Sequence, residues 1–151
     1  MTISQTRHIN ILLVEDNAGD VLLTKKAFEK AKIANTIQVA QDGDVAMRML
    51  RREDEYGDLS IPDLVLLDIN LPKKNGQQVL AEIKGDERLK RIPVVILTSS
   101  KAEQEILATY NLHANCFIVK PISLDAFYDI VSAIEQFWFS IVVLPPCDVQ
   151  V

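Results

Sequence analysis

"PDLVLLDINLPKKNG", residues 62–76, runs four large apolar residues, Leu64 to Leu67, into a carboxylate at Asp68. An apolar run without alternation reads as a strand buried on both faces, the kind that parallel sheets contain. Packing gives such a strand no reason to end on a charge, so Asp68 asks for a chemical explanation. Four similar runs flank it: "INILLVED" at 9–16, "TIQVAQD" at 36–42, "PVVILTS" at 93–99 and "NCFIVKP" at 115–121.

Between the runs, apolar residues recur at helical spacing. Leu23, Ala27, Phe28 and Ala31 form one stripe, opposite Lys25, Lys26, Glu29, Lys30 and Lys32. Others are Val45, Met49 and Leu50, then Val79, Leu80 and Ile83, then Ile106, Leu107 and Tyr110, and last Leu124, Phe127, Val131 and Ile134. Strand and helix in strict alternation indicate βαβ units, because parallel strands need long crossovers and the crossovers cover both faces with helices. The predicted fold is an α/β (βα)5 doubly wound sandwich on a five-stranded parallel sheet. The second run alternates, Ile37 and Val39 around Gln38, which places it at a sheet edge.

The chain has 151 residues, 48% hydrophobic and 25% charged, as expected of one globular domain with one core. A net charge of -5 offers no field for a nucleic-acid backbone, so no nucleic-acid partner is expected. The start, "MTISQTRHIN", lacks the apolar segment of a secretory signal, and the longest apolar stretch, "FWFSIVVL" at 137–144, is too short to span a bilayer. The expected location is cytoplasmic, away from the membrane. Cys116 and Cys147 match neither a zinc pattern nor a disulfide framework and are expected as free thiols.

In an open α/β sheet the ligand site lies beyond the carboxyl ends of the strands. Those ends carry Glu15, Asp16 and Asn17, then Asp42, then Asp68 and Asn70, then Thr98, Ser99 and Ser100, and finally Lys120 with Pro121. Carboxylates gathered from neighbouring strands repel by about 4 kcal/mol per close pair at an effective dielectric constant of about 20. Lys120 or a cation must compensate. Hard oxygen ligands suit Mg²⁺ together with a phosphate group, and a carboxylate beside them can act as a nucleophile towards phosphorus.

"LLVEDN", "LLDINLPKKNG", "ILTSS" and "IVKP", in that order and spacing, resemble the receiver domains of two-component response regulators, over residues 9–139. The resemblance implies a flavodoxin-like sheet in the order 2-1-3-4-5. It implies Asp68 as phosphoacceptor, and Mg²⁺ ligated by Asp16 and Asp68, by the Asn70 carbonyl and by Glu15 through water. Thr98 resembles the switch hydroxyl, with Ser99 beside it. Lys120 resembles the phosphoryl-contacting lysine, Phe117 the switch aromatic and Pro121 a cis-proline. Gly76 resembles the glycine before the third helix, and Pro72 the proline that turns the chain there. Many members carry tyrosine where this chain has Phe117, and phenylalanine has no hydroxyl to favour an outward rotamer. Phe117 is therefore expected inward even without phosphate.

The implied partner is a histidine kinase whose phosphohistidine supplies the phosphoryl group. The resemblance further implies a domain that is not a conventional enzyme but phosphorylates itself and hydrolyses the product slowly. "EDNAGDVLLTKKAFEKA" is similar to the response regulators paired with cyanobacterial phytochromes, which makes a phytochrome kinase the expected donor. No output domain is read after the receiver, so signalling by protein contact is expected. Residues 140–151 read as an apolar extension and tail. Seven of the eight residues from Phe137 to Leu144 are apolar, too many for one buried stripe, which points to a homodimer contact through Phe127, Phe137, Trp138 and Phe139, the alternative being a tail folded back on its own helices.

Simpler readings exist for each residue taken singly. Glu15 and Asp16 could be the acidic start of a helix capped by Asp20, residues 98–100 could cap the fourth helix, Ser123 the fifth, and Lys120 could be a solvated loop lysine. A phosphatase of the haloacid dehalogenase type needs a second Asp where Asn70 stands, and a dinucleotide site needs three glycines where "VEDNAGD" has one. A pseudo-receiver that keeps the fold without phosphorylation is disfavoured by the full set Glu15, Asp16, Asp68, Thr98 and Lys120. Neither His8 nor His113 reads as a phosphodonor or ligand.

Overall fold

In the computed structural model, residues 8–30, 34–108, 116–120 and 125 are described. Strands β1 (Ile9–Val14), β2 (Asn35–Ala40), β3 (Leu64–Asp68), β4 (Val94–Thr98) and β5 (Cys116–Val119) pair in parallel, in the order β2-β1-β3-β4-β5. This is the flavodoxin-like order. Helices α1 (Ala18–Lys30), α2 (Gly43–Leu50), α3 (Gly76–Gly85) and α4 (Lys101–Ala108) form the crossovers.

The strands bury both faces, and the side-chain period of two splits the core into two clusters. Leu12, Val14, Val65, Leu67 and Ile96 pack with Met47, Leu50, Val79, Leu80 and Ile83 of α2 and α3. Ile11, Leu13, Leu64, Leu66, Val95 and Leu97 pack on the other side with Ala27 and Phe28 of α1. Every residue of β3 and β4 is buried, whereas β2 leaves Thr36 and Gln38 exposed and Ile37 and Val39 half-buried, as an edge strand does. The Lys84 ammonium, at the end of α3, donates to the carbonyls of Lys90 and Ile92 at 3.1 Å each and pins that helix to the chain entering β4.

Two stripes differ from the sequence expectation. In α1, Leu23 is 51% exposed and Thr24 takes the inward position. The Thr24 hydroxyl is satisfied by donating to the Asp20 carbonyl one turn back, at 2.8 Å, so it can be buried beside Ala27 and Phe28 without an unmet polar group. In α4, Ile106 is 59% exposed while Leu107 is buried. The cap of α1 is also one turn earlier than Asp20: Asn17 Oδ1 accepts the Asp20 N–H at 2.9 Å, and Asp20 lies within the first turn.

Several expectations lie outside the described residues: the stripe residues Ala31 and Tyr110, His113, Pro121, the helix start at Ser123, Leu124, Phe127, Val131, Ile134, Phe137, Trp138, Phe139, the 140–151 tail, Cys147 and the side chain of Cys116. Among the described residues no helix is long and apolar enough to cross a membrane.

Candidate functional site

Parallel registers put the carboxyl ends of β1, β3, β4 and β5 at one rim. Val14 pairs with Leu67, Asp68 with Leu97, and Thr98 with Val119, so the residues just beyond these positions converge. Glu15, Asp16 and Asp68 each bring a carboxylate oxygen within 4.8 Å of the others, with Glu15 and Asp68 buried and Asp16 exposed. Gly76 makes the close fit possible. A Cβ there would stand 2.6 Å from the Asp68 carbonyl oxygen and 2.6 Å from the Ile69 Cα, so only glycine lets α3 begin against the end of β3. Asn75 starts that helix with a reciprocal capping box to Gln78, each bond 2.9 Å.

Lys120 supplies the positive charge. Its ammonium lies 2.9 Å from Glu15 Oε1, 2.9 Å from Asp20 Oδ2 and 3.0 Å from Asp68 Oδ2. Burial by itself would lower the Lys120 pKa, but hydrogen bonds to Asp20, Glu15 and Asp68 outweigh it and hold the ammonium above its ordinary value. Glu15 moves the opposite way to most paired acids. Burial first, then hydrogen bonding and charge from Asp68, push its carboxyl up to about 7, against the pull of Lys120. Its Oε1 is buried without a well-aligned hydrogen-bond donor, although Lys120 stands within ion-pair range.

A buried carboxylate that shares one ammonium with two other acids, beside two further carboxylates within 4.8 Å, is a donor set for a hard divalent cation. The residues present fit Mg²⁺ or a similar ion. Asp68 Oδ1 accepts the Asn70 N–H at 2.9 Å, which fixes the rotamer of the central carboxylate. The Thr98 hydroxyl is fully buried and donates to the Ile118 carbonyl at 3.3 Å, while the Lys120 N–H donates to the Thr98 carbonyl at 2.8 Å. Phe117, half-buried, packs against the cluster on the α2 and α3 face.

The structure thus brings Glu15, Asp16, Asp68, Asn70, Thr98, Ser99 and Lys120 to one rim. Asp42 instead caps α2, accepting the Val45 N–H at 2.9 Å, and Ser100 caps α4, accepting the Glu103 N–H at 3.1 Å. Two rim residues are additions to the sequence reading. Asp20 holds Lys120 from α1, and Glu103 receives the Ser99 N–H at 2.7 Å and the Asn70 amide at 3.1 Å. The S-x-x-E spacing of Ser100 and Glu103 was the available signal for the second; Asp20 left none that distinguishes it from an ordinary first-turn acid.

The family model described as response regulator receiver domain matches residues 11–132. Response regulator Rcp1 of Synechocystis sp. is 44% identical over 135 residues, which cover 89% of this chain and 92% of that protein. Among solved structures, the phosphorylated cyanobacterial phytochrome response regulator RcpA is 48% identical with a TM-score of 0.74, covering 92% of this chain and 99% of the other. The Mn²⁺-bound form of Rcp1 is 44% identical with a TM-score of 0.71, covering 91% and 99%.

Proposed function

The chain belongs to the response regulator receiver domain family, and from that premise we propose that Asp68 accepts a phosphoryl group from a phosphohistidine of a histidine kinase. The similarity to Rcp1 and to the phytochrome response regulator RcpA makes a phytochrome kinase the proposed donor, in the cytoplasm. The observation that carries the reading is the half-buried Lys120 ammonium shared by Glu15, Asp20 and Asp68, with the carboxylates of Glu15, Asp16 and Asp68 within 4.8 Å of one another.

Asp16 and Asp68 would hold Mg²⁺ through their side chains, Asn70 through its carbonyl and Glu15 through water. When bound, the ion offsets negative charge on the phosphoryl oxygens. An Asp68 oxygen forms the new O–P bond as the N–P bond of phosphohistidine breaks and the imidazole leaves. The Asn70 N–H holds the other Asp68 oxygen and so orients the attacking one. Lys120, already 3.0 Å from Asp68, turns its ammonium to the incoming phosphoryl oxygens. Thr98 exchanges its Ile118 carbonyl for a phosphoryl oxygen, and this rotation is the switch. The packing of Phe117 against the core supports an aromatic that is inward without phosphate. Thr98 and the Ser99 loop then carry most of the change. Water later cleaves the acyl phosphate.

Output by protein contact and a homodimer through Phe127, Phe137, Trp138 and Phe139 are part of the same reading and rest on the sequence.

The test is incubation with Mg²⁺ and acetyl phosphate, followed by intact mass and peptide mapping of wild type and Asp68→Asn. One phosphoryl group on Asp68, absent from the variant, is expected. Continuous turnover of phosphomonoesters, or no labelling of the wild type, overturns the reading.

A further inference from the structure

Glu103 is the third residue of α4. In an ordinary capping box its carboxylate would reach back to the N–H of the cap residue, Ser100. It reaches further. Oε1 accepts from the N–H of Ser99, and the two oxygens lie 3.4 and 3.1 Å from Asn70 Nδ2. Asn70 Nδ2 also donates to the Ser99 hydroxyl at 3.0 Å, and the Asn70 N–H is the group that holds Asp68 Oδ1. One carboxylate therefore ties α4 to the segment after β3, across the rim of the Asp68 site. It does so by filling two N–H donors with an anion.

A phosphoryl group on Asp68 brings three oxygens to this rim. Lys120 and Thr98 supply two contacts, and the next donor along the end of β4 is the Ser99 N–H. Glu103 already occupies it. Two oxyanions cannot share one donor without like-charge repulsion, so the carboxylate must leave before the phosphoryl oxygen settles. We propose that Glu103 is a resident competitor, a carboxylate standing where a phosphoryl oxygen will stand, which slows loading of Asp68 and is expelled by it. Its departure leaves the Asn70 amide with the Ser99 hydroxyl alone and unties the first turn of α4 from the segment after β3. Both border the open groove of about 850 Å³ that Ile69, Asn70, Glu103 and Ile106 help to line. The inference rests on Asp68 being the phosphoacceptor.

The full-length chain with Glu103→Gln and Glu103→Ala decides it. Glutamine keeps the shape and the cap while removing the charge, which separates competition from helix stability. Initial rates of Asp68 labelling by acetyl phosphate and the dissociation constant for beryllium fluoride, both with Mg²⁺, are compared with wild type. Glu103→Gln is expected to label and to bind beryllium fluoride about tenfold better, the scale of one charge-assisted hydrogen bond. The Ser99 amide proton is expected to move upfield in Glu103→Ala by NMR. Equal rates and equal beryllium fluoride affinity in wild type and Glu103→Gln overturn the competitor role while leaving Asp68 as acceptor. Absence of labelling in every chain overturns both.

Discussion

A single proton on Glu15 couples this site to pH. The carboxyl is 1% exposed, and its pKa rises from 4.5 to about 7 through burial and the proximity of Asp68. In cation-free protein the folded state holds that proton more tightly than the unfolded state. Glu15's contribution to stability is thus full below pH 4.5 and is lost as pH rises through about 7. Urea titrations of wild type against Glu15→Gln should show the wild type losing ground over that interval and the variant not. A divalent ion competes with the same proton, so Mg²⁺ affinity should fall towards tenfold per unit below pH 7, with calorimetry in two buffers reporting proton release. Gly76 makes a second prediction. Alanine there would press on the Asp68 and Ile69 backbone, so Gly76→Ala should cost about 1–3 kcal/mol in urea unfolding and weaken Mg²⁺ binding.

Helix α1 illustrates what periodicity reads well and where it slips. The helix follows from its spacing, but Leu22 and Leu23 offer apolar side chains at positions that the tertiary fold leaves 54% and 51% exposed. Thr24 is buried only because its hydroxyl finds the Asp20 carbonyl, a bond that hydropathy alone does not register. Phe28→Ala should therefore cost about 3–5 kcal/mol. Leu23→Ala should stay within about 0.5 kcal/mol, as surface changes do. If the whole sequence-based stripe were buried, Leu23→Ala would instead lower the denaturant midpoint by as much as a core truncation, roughly 2–5 kcal/mol. The same blindness applies to Glu103: the S-x-x-E motif announces a cap, while its contact with Asn70 spans 33 residues and exists only once β3 and β4 lie side by side.

At the scale of the molecule, the edge position of β2 was legible because it alternates where β3 and β4 are apolar up to their last residues, Asp68 and Thr98, while the full strand order came from the family resemblance; the convergence of Glu15, Asp16, Asp68 and Lys120 follows from strand ends in a parallel sheet. The partners of Lys120 were only half legible, since Asp20 approaches from a helix whose rotation the sequence leaves open. Repulsion among the carboxylates makes the whole fold sensitive to a cation. Mg²⁺ at about 100 times its dissociation constant should add about 2.7 kcal/mol, raising Tm by several degrees in a thermal scan, and Asp68→Asn should blunt the rise. The polar alternation of β2 bears on a different property. Only β1 pairs with it among the described strands, which makes β2 the border of the described sheet, and the exposed Thr36 and Gln38 keep that margin wet. Making both valine would turn a solvated border into an adhesive one, and the cell would then recover the protein as inclusion bodies rather than in solution.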